Sequence, residues 1–279
     1  MQKKILIMGV TRNSSRRLHR LHTIFEEAFS DFERTYFVVE SDSSDDTVKV
    51  LEEMALKDSR FNFISLGILR NQLKSRSERI AKCRNVYLEF FREKQITMDY
   101  DYLVIADWDE VNYGLKKESI DSCWAESRWD ICTANQLGPY YDLWALRCAN
   151  WLDRDCHMQF NQESNFGVRR AYFRNLIKPM YKKRNPGTWI ETDSSFGGLG
   201  IYKSEVIGQE IYKVDRESGC EHVLFHTAIK NRGYRIFINT SLINSNFTTN
   251  ARHAIYNYLI LAIFGRWFSK IKQFIATFS

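Results

Sequence analysis

Short apolar runs and helix-period stretches alternate through the first third of the chain. KILIMGVT (4–11), RTYFVVE (34–40), FNFISL (61–66) and YLVIA (102–106) are rich in β-branched and aromatic residues. Between them, LHRLHTIFEEAF (18–29), DDTVKVLEEMALKD (45–58) and SERIAKCRNVYLEFFREK (77–94) repeat apolar residues every three or four positions. This alternation predicts βαβ units, hence an α/β protein with a mainly parallel central sheet flanked by helices. Ser43 to Asp46 supply N-cap residue types ahead of the second helix.

The pattern loosens after residue 110. WDICTANQ (129–136), GLGIYK (198–203) and RGYRIFINTSLI (232–243) read as strands, and residues 137–190 read as a long loop-rich stretch carrying Trp144, Trp151 and Trp189. Loops of that length in a compact domain are usually functional. There is no internal repeat, and three prolines are too few for a flexible linker, so residues 1–250 are expected to form one domain.

Residues 251–279 have a different pattern. Phe264, Trp267, Phe268, Ile271, Phe274, Ile275 and Phe278 make one helical stripe, with Arg266, Lys270, Gln273 and Thr277 opposite. That is an amphipathic helix with a basic face. The apolar run before Gly265 is about a dozen residues, short of the roughly twenty that span a bilayer. The tail is therefore expected to lie on an anionic membrane surface; closing the protein's own core or a dimer interface is the alternative.

The fourth predicted strand runs straight into Asp107 and Asp109. A buried strand excludes unpaired charge, so carboxylates belong at its exposed end, and residues i and i+2 point to the same side of an extended chain. Two such oxygen donors suit Mn2+ or Mg2+ bridging to substrate phosphates. Asp-x-Asp also occurs at Asp99/Asp101 and Asp153/Asp155, but only the Asp107/Asp109 pair follows a strand, where ligands bind in open α/β sheets. Thr11 and Arg12, just after the first strand, share that edge and are candidate nucleotide contacts.

Composition narrows the partners. The net charge of +6 is spread along the chain, unlike a nucleic-acid-binding arm, and favours phosphorylated substrates or an anionic membrane over nucleic acid. Six cysteines occur without a CxxC, which points to free thiols rather than a zinc site or a disulfide framework. MQKKILIMGV has no apolar region of signal-peptide length, so it reads as a first strand and the chain as cytoplasmic; the sequons at Asn13, Asn239 and Asn246 then carry no meaning. No GxGxxG and no GxxxxGK[ST] occurs, which removes the main signal for a dinucleotide oxidoreductase or a P-loop NTPase.

Four segments, in order, resemble family 2 glycosyltransferases: VVESDSSDDT (38–47), RIAKCRN (79–85), ADWDE (106–110) and CEHVLFHTAIKNRGYRI (220–236). RIAKCRN with YYDLWALR (140–147) is also similar to the capsule-associated mannosyltransferase-like group. The resemblance implies a GT-A type nucleotide-diphospho-sugar transferase fold. It also implies transfer of a hexose to a hydroxyl of a glycan or glycolipid, in surface polysaccharide or lipopolysaccharide assembly, on the cytoplasmic face of a membrane. By the same resemblance Glu40 meets the nucleotide base and Asp107 and Asp109 hold Mn2+ or Mg2+. Arg84 supplies a cation near the diphosphate.

Family 2 members have Glu-Asp where this chain has Glu221-His222. The pair leaves open whether Glu221 or His222 is the general base and whether His222 is a third metal ligand. His222 and His226 also have i, i+4 spacing, but no HExxH accompanies them, so His226 reads as a packing or hydrogen-bonding residue. Gly197 and Gly198 would let a sugar approach the backbone or would simply make a turn. Trp189, Glu191 and Asp193 could stack on or hydrogen-bond a sugar. The competing readings are a nucleotidyltransferase of related fold, whose glycine-rich, lysine-bearing phosphate loop MGVTRNSSRR does not match, and a non-catalytic glycan-binding protein.

Overall fold

The computed structural model describes residues 2–215 and 219–264. Eight strands form one sheet: β1 (Lys4–Thr11), β2 (Glu33–Glu40), β3 (Phe61–Ser65), β4 (Tyr102–Asp107), β5 (Ile131–Gln136), β6 (Trp189–Thr192), β7 (Leu199–Lys203) and β8 (Ile236–Ser245). Their order is β3-β2-β1-β4-β7-β5-β8-β6. The expected parallel sheet occupies β3 to β4, and β5 and β8 are also parallel. The sheet as a whole is mixed, because β7 lies antiparallel to both β4 and β5, and β6 antiparallel to β8. The turn at Gly197 and Gly198 starts β7 in the reverse direction beside β4, where no crossover helix is needed.

Side-chain alternation along the strands divides the core. Ile5, Ile7, Tyr36 and Val38 join one apolar cluster and Leu6, Met8, Phe37 and Val39 the other. Helices α1 (Leu18–Ala28), α2 (Thr47–Lys57) and the short α4 (Lys117–Asp121) contribute Leu21, Phe25, Leu51 and Ile120 to the first face. The second face is covered by α3 (Arg76–Met98) and α8 (Glu221–Lys230), through residues such as Tyr87, Leu88, Phe225 and Ile229. All six cysteines are free and buried.

Residues 137–190 are not simply loop. They contain α5 (Cys156–Ser164), α6 (Val168–Tyr172), a π-helical turn (Phe173–Ile177) and α7 (Lys178–Met180). These helices are short and expose Phe166, Phe173 and Tyr181, so no clean apolar stripe marks them in the sequence. They share a third apolar cluster with α9 (Thr249–Phe264), in which Phe160, Tyr172, Ala251 and Leu261 are buried. Residue 250 lies in the first turn of α9. The tail stripe from Trp267 onward lies outside the described residues. Among the described residues no helix is long and apolar enough to cross a membrane.

Candidate functional site

Thr11, Glu40 and Asp107 stand at the carboxyl ends of β1, β2 and β4, in register as Thr11 opposite Glu40 and Val10 opposite Asp107. Trp108, between Asp107 and Asp109 in the chain, turns into the core against Phe25. Asp109 accepts from Val111 N at 3.0 Å, which fixes the chain just after the strand. Burial raises the Asp109 carboxyl above its ordinary range. The Asp107 carboxyl is pushed up to about 7, by burial first, then against the pull of Arg84 by repulsion from Asp109, Asp142 and Glu221.

Arg84, on α3, answers this negative charge. It is 3% exposed and donates from Nε to Glu221 Oε1 at 3.1 Å, from Nη2 to Asp107 Oδ1 at 3.2 Å and from Nη1 to the Tyr87 hydroxyl at 3.1 Å. Its guanidinium also lies over the rings of Phe196 and Tyr212. The cation expected to face a diphosphate is thus the tie between the metal-type carboxylate and the first residue of α8. Glu221 is only 5% exposed and committed to that tie.

A segment to which the sequence reading assigned no functional residue completes the cluster. Asp142, in the YYDLWALR stretch, accepts from Gly197 N at 2.9 Å and Ala145 N at 3.4 Å. Burial and Glu221 push its carboxyl up to about 6, with the two backbone N–H groups and Arg84 working against them. Unlike Glu221 it is partly exposed, and among the described residues no cation forms an ion pair with it. Tyr141 beside it is raised by burial and by Asp107, Asp142 and Asp109.

Gly197 and Gly198 have φ of 67° and 86°, and a Cβ would come within 2.5 Å of Ala134 O at the first and 2.6 Å of Val111 Cγ1 at the second. Of the two readings given above, the turn is what these contacts require. Gly198 O accepts from Asp107 N at 2.9 Å, and Asn112 Nδ2 bridges Asp107 O and Gly198 O at 2.7 and 3.0 Å. Asn244 Nδ2 donates to Asn112 Oδ1 and Gly197 O, and Gln136 Nε2 to Gly197 O and Asn244 Oδ1. Three buried amides drawn from three parts of the chain thus clamp the turn to the end of β4. Single amides scattered through apolar runs left no signal in the sequence.

At the ends of β1 and β2, Glu40 is 1% exposed and accepts from Ser43 N at 2.9 Å and Ser65 Oγ at 2.5 Å. Asp42, with φ of 61°, takes ion pairs from Arg70 and Arg79 at 3.3 and 3.1 Å and ties the segment after β3 to the end of β2. Thr11 is 7% exposed and its Oγ1 has no partner. Arg12 is exposed.

The structure separates other residues from this cluster. His222 is 2% exposed, stacked on Phe196 with ring centroids 4.0 Å apart, and burial lowers its pKa well below the ordinary value. Among the described residues no group of three or more His, Cys, Asp or Glu could hold a metal, so His222 does not complete a triad with Asp107 and Asp109. His226 is a hydrogen-bonding core residue, 2.9 Å from both Ser194 Oγ and the Tyr202 hydroxyl. Trp189, Glu191 and Asp193 are on or just after the edge strand β6. Trp189 packs on Phe237, Glu191 pairs with Arg235 at 2.8 Å, and Asp193 pairs with Lys230. Four strand spacings, about 19 Å, separate β6 from β4.

No family model matches the sequence, and no curated protein does. Among solved structures, the mannosyltransferase PcManGT from Pyrobaculum calidifontis, in complex with GDP-Man and Mn2+, superposes with a TM-score of 0.50 at 13% identity. The fold is that of the GT-A glycosyltransferases. The match covers 92% of this chain and 61% of PcManGT. TarS of S. aureus (residues 1–349) aligns with a TM-score of 0.47 and 15% identity over 92% of this chain and 64% of that one. The chain therefore spans somewhat less than two thirds of PcManGT and of the TarS fragment.

Proposed function

We propose that the protein is a metal-dependent glycosyltransferase that moves a hexose from a nucleotide-diphosphate sugar to a hydroxyl of a glycan or glycolipid. One observation carries the reading: at the carboxyl end of β4, Asp107 and Glu221 share the buried Arg84 guanidinium, and Asp109 and Asp142 lie close enough to repel the Asp107 carboxylate. Oxygen donors held in a desolvated, mutually repelling set suit a hard divalent cation. Asp107 and Asp109 would hold Mn2+ or Mg2+, which when bound offsets the charge that develops on the departing diphosphate. Two carboxylates without a third ligand fit a cation whose coordination is completed by substrate phosphates.

In this reading Arg84 keeps Asp107 in place and offsets part of the cluster's charge. Thr11 and Glu40 shape the nucleotide pocket at the ends of β1 and β2, and the exposed Arg12 offers it a guanidinium. The Gly197–Gly198 turn orients Asp142. Asp142 takes the proton of the acceptor hydroxyl, since Glu221 is engaged by Arg84 whereas Asp142 is partly open. A carboxyl near 6 is well matched to general-base work at neutral pH. The stripe predicted beyond residue 264 would hold the enzyme on the cytoplasmic face of an anionic membrane, as suits surface polysaccharide or lipopolysaccharide assembly. Calorimetric titration with GDP and UDP, with and without Mn2+, tests the donor reading: binding of at least one that strengthens with Mn2+ is expected, and a folded protein that binds neither would refute it.

A further inference from the structure

The helical layer carries a surface that the transfer reaction does not use. From Asn165 to Ile190 there is no Asp or Glu, against seven Lys or Arg. Phe166, in the turn just ahead of α6, Arg169 and Arg170 on α6, and Phe173 and Arg174 in the π-helical turn are all exposed, Phe166 by 93%. The opposite face of the same helices is buried through Ala171, Tyr172 and Leu176. A helix normally turns its apolar residues inward; here aromatics are also displayed outward among cations.

The surface continues onto α9. Phe173 contacts Tyr258 with ring centroids 5.5 Å apart, and Tyr256, Leu259 and Ile263 on α9 are 63%, 51% and 72% exposed. Arg169 and Arg170 have no ion-pair partner among the described residues, and Arg174 has only an exposed contact with Glu163 at 3.5 Å. A second copy of the chain would bring like charge to this face. Single-stranded nucleic acid would use the rings but not Leu259 and Ile263. Aromatic and aliphatic side chains interleaved with uncompensated cations fit the headgroup region of an anionic bilayer.

We propose that α6, the π-helical turn and α9 form a folded docking surface for an anionic lipid bilayer, separate from the tail stripe. The proposal rests on the glycosyltransferase reading only for its purpose. Tyr140, Leu143 and Leu146, on the loop that carries Asp142, pack into the same cluster as α6 and α9, so a docked layer would hold that loop beside a lipid-linked acceptor.

Full-length protein is sedimented with vesicles of phosphatidylcholine alone and with equal parts phosphatidylglycerol, which reads binding without any donor or acceptor. Wild type is expected on the anionic vesicles only. Arg169→Gln with Arg170→Gln should weaken that binding roughly thirtyfold at low salt. Phe166→Ser with Phe173→Ser should weaken it at high salt as well. Arg169 and Arg170 make no ion pair among the described residues and Phe166 is almost wholly exposed, so far-UV circular dichroism should not change, while Phe173→Ser, which loses its contact with Tyr258, is compared by melting with Phe166→Ser alone. If both double variants bind like wild type, the folded surface is refuted while the tail is left as anchor. A wild type indifferent to both vesicles refutes both membrane readings without touching the transferase, and preferential binding to an RNA homopolymer, lost in the variants, would reassign the surface to nucleic acid.

Discussion

Arg84 and Glu221 stand 137 residues apart in the chain and meet at 3.1 Å, Nε to Oε1, in a nearly solvent-free position. The same guanidinium reaches Asp107, so one side chain couples α3, α8 and the end of β4. Removing one partner of a buried ion pair leaves the others uncompensated, at a cost of about 3–5 kcal/mol. Arg84→Met should therefore destabilise the fold by that order in urea titration, and Arg84→Lys by less. Near-wild-type stability in Arg84→Met would contradict the coupling.

Gly198→Ala forces a Cβ to 2.6 Å from Val111 Cγ1 and 2.8 Å from the Tyr141 hydroxyl, at a φ that side chains rarely adopt. Strain at such a position costs about 1–3 kcal/mol. The expected result is a lower melting temperature together with weaker Mn2+ binding, since Gly198 O holds the Asp107 amide. A variant with unaltered metal affinity would uncouple the turn from the metal-type carboxylates.

In the metal-free protein the Asp107 carboxyl sits up at about 7, mainly through burial. The unfolded chain has the ordinary value near 4, so between about pH 4 and 7 the native state binds more protons. Stability should fall as pH rises through that window and stay lower above it. Added Mn2+ should restore melting temperature near pH 8 and do little near pH 5, where protons compete for the same oxygens. Asp107→Asn should flatten both effects; a metal-free profile that rises across the window would overturn the electrostatic description.

Much of the fold was legible because β1 to β4 and α1 to α3 each carry a clean period, so their alternation implies βαβ units. The reversal at β7 was not, since a short apolar strand reads the same in either direction and its sense depends on the Gly197–Gly198 turn. Asp107 and Asp109 were legible because they end a strand. Asp142 was hidden in an irregular stretch, and its place depends on Gly197 N, which belongs to a segment 55 residues away. The resemblance to family 2 glycosyltransferases put His222 where an aspartate is expected, yet its ring is sealed against Phe196, and only three-dimensional packing reveals that.

Asp142 and Glu221 separate by kinetics. Loss of a general base costs about 10²–10⁴ in turnover. Asp142→Asn should show that loss with donor affinity retained, whereas Glu221→Gln should chiefly lower stability by releasing Arg84. Should Glu221→Gln lose turnover at unchanged stability while Asp142→Asn stays active, the base is Glu221.

The most direct measurement is release of GDP or UDP from a panel of nucleotide sugars by the purified full-length chain, with Mn2+, with chelator, and in Asp109→Asn. The account predicts Mn2+-dependent release from at least one donor, abolished by chelator and by Asp109→Asn while the variant stays folded. Release that persists undiminished in Asp109→Asn or in chelator would contradict it.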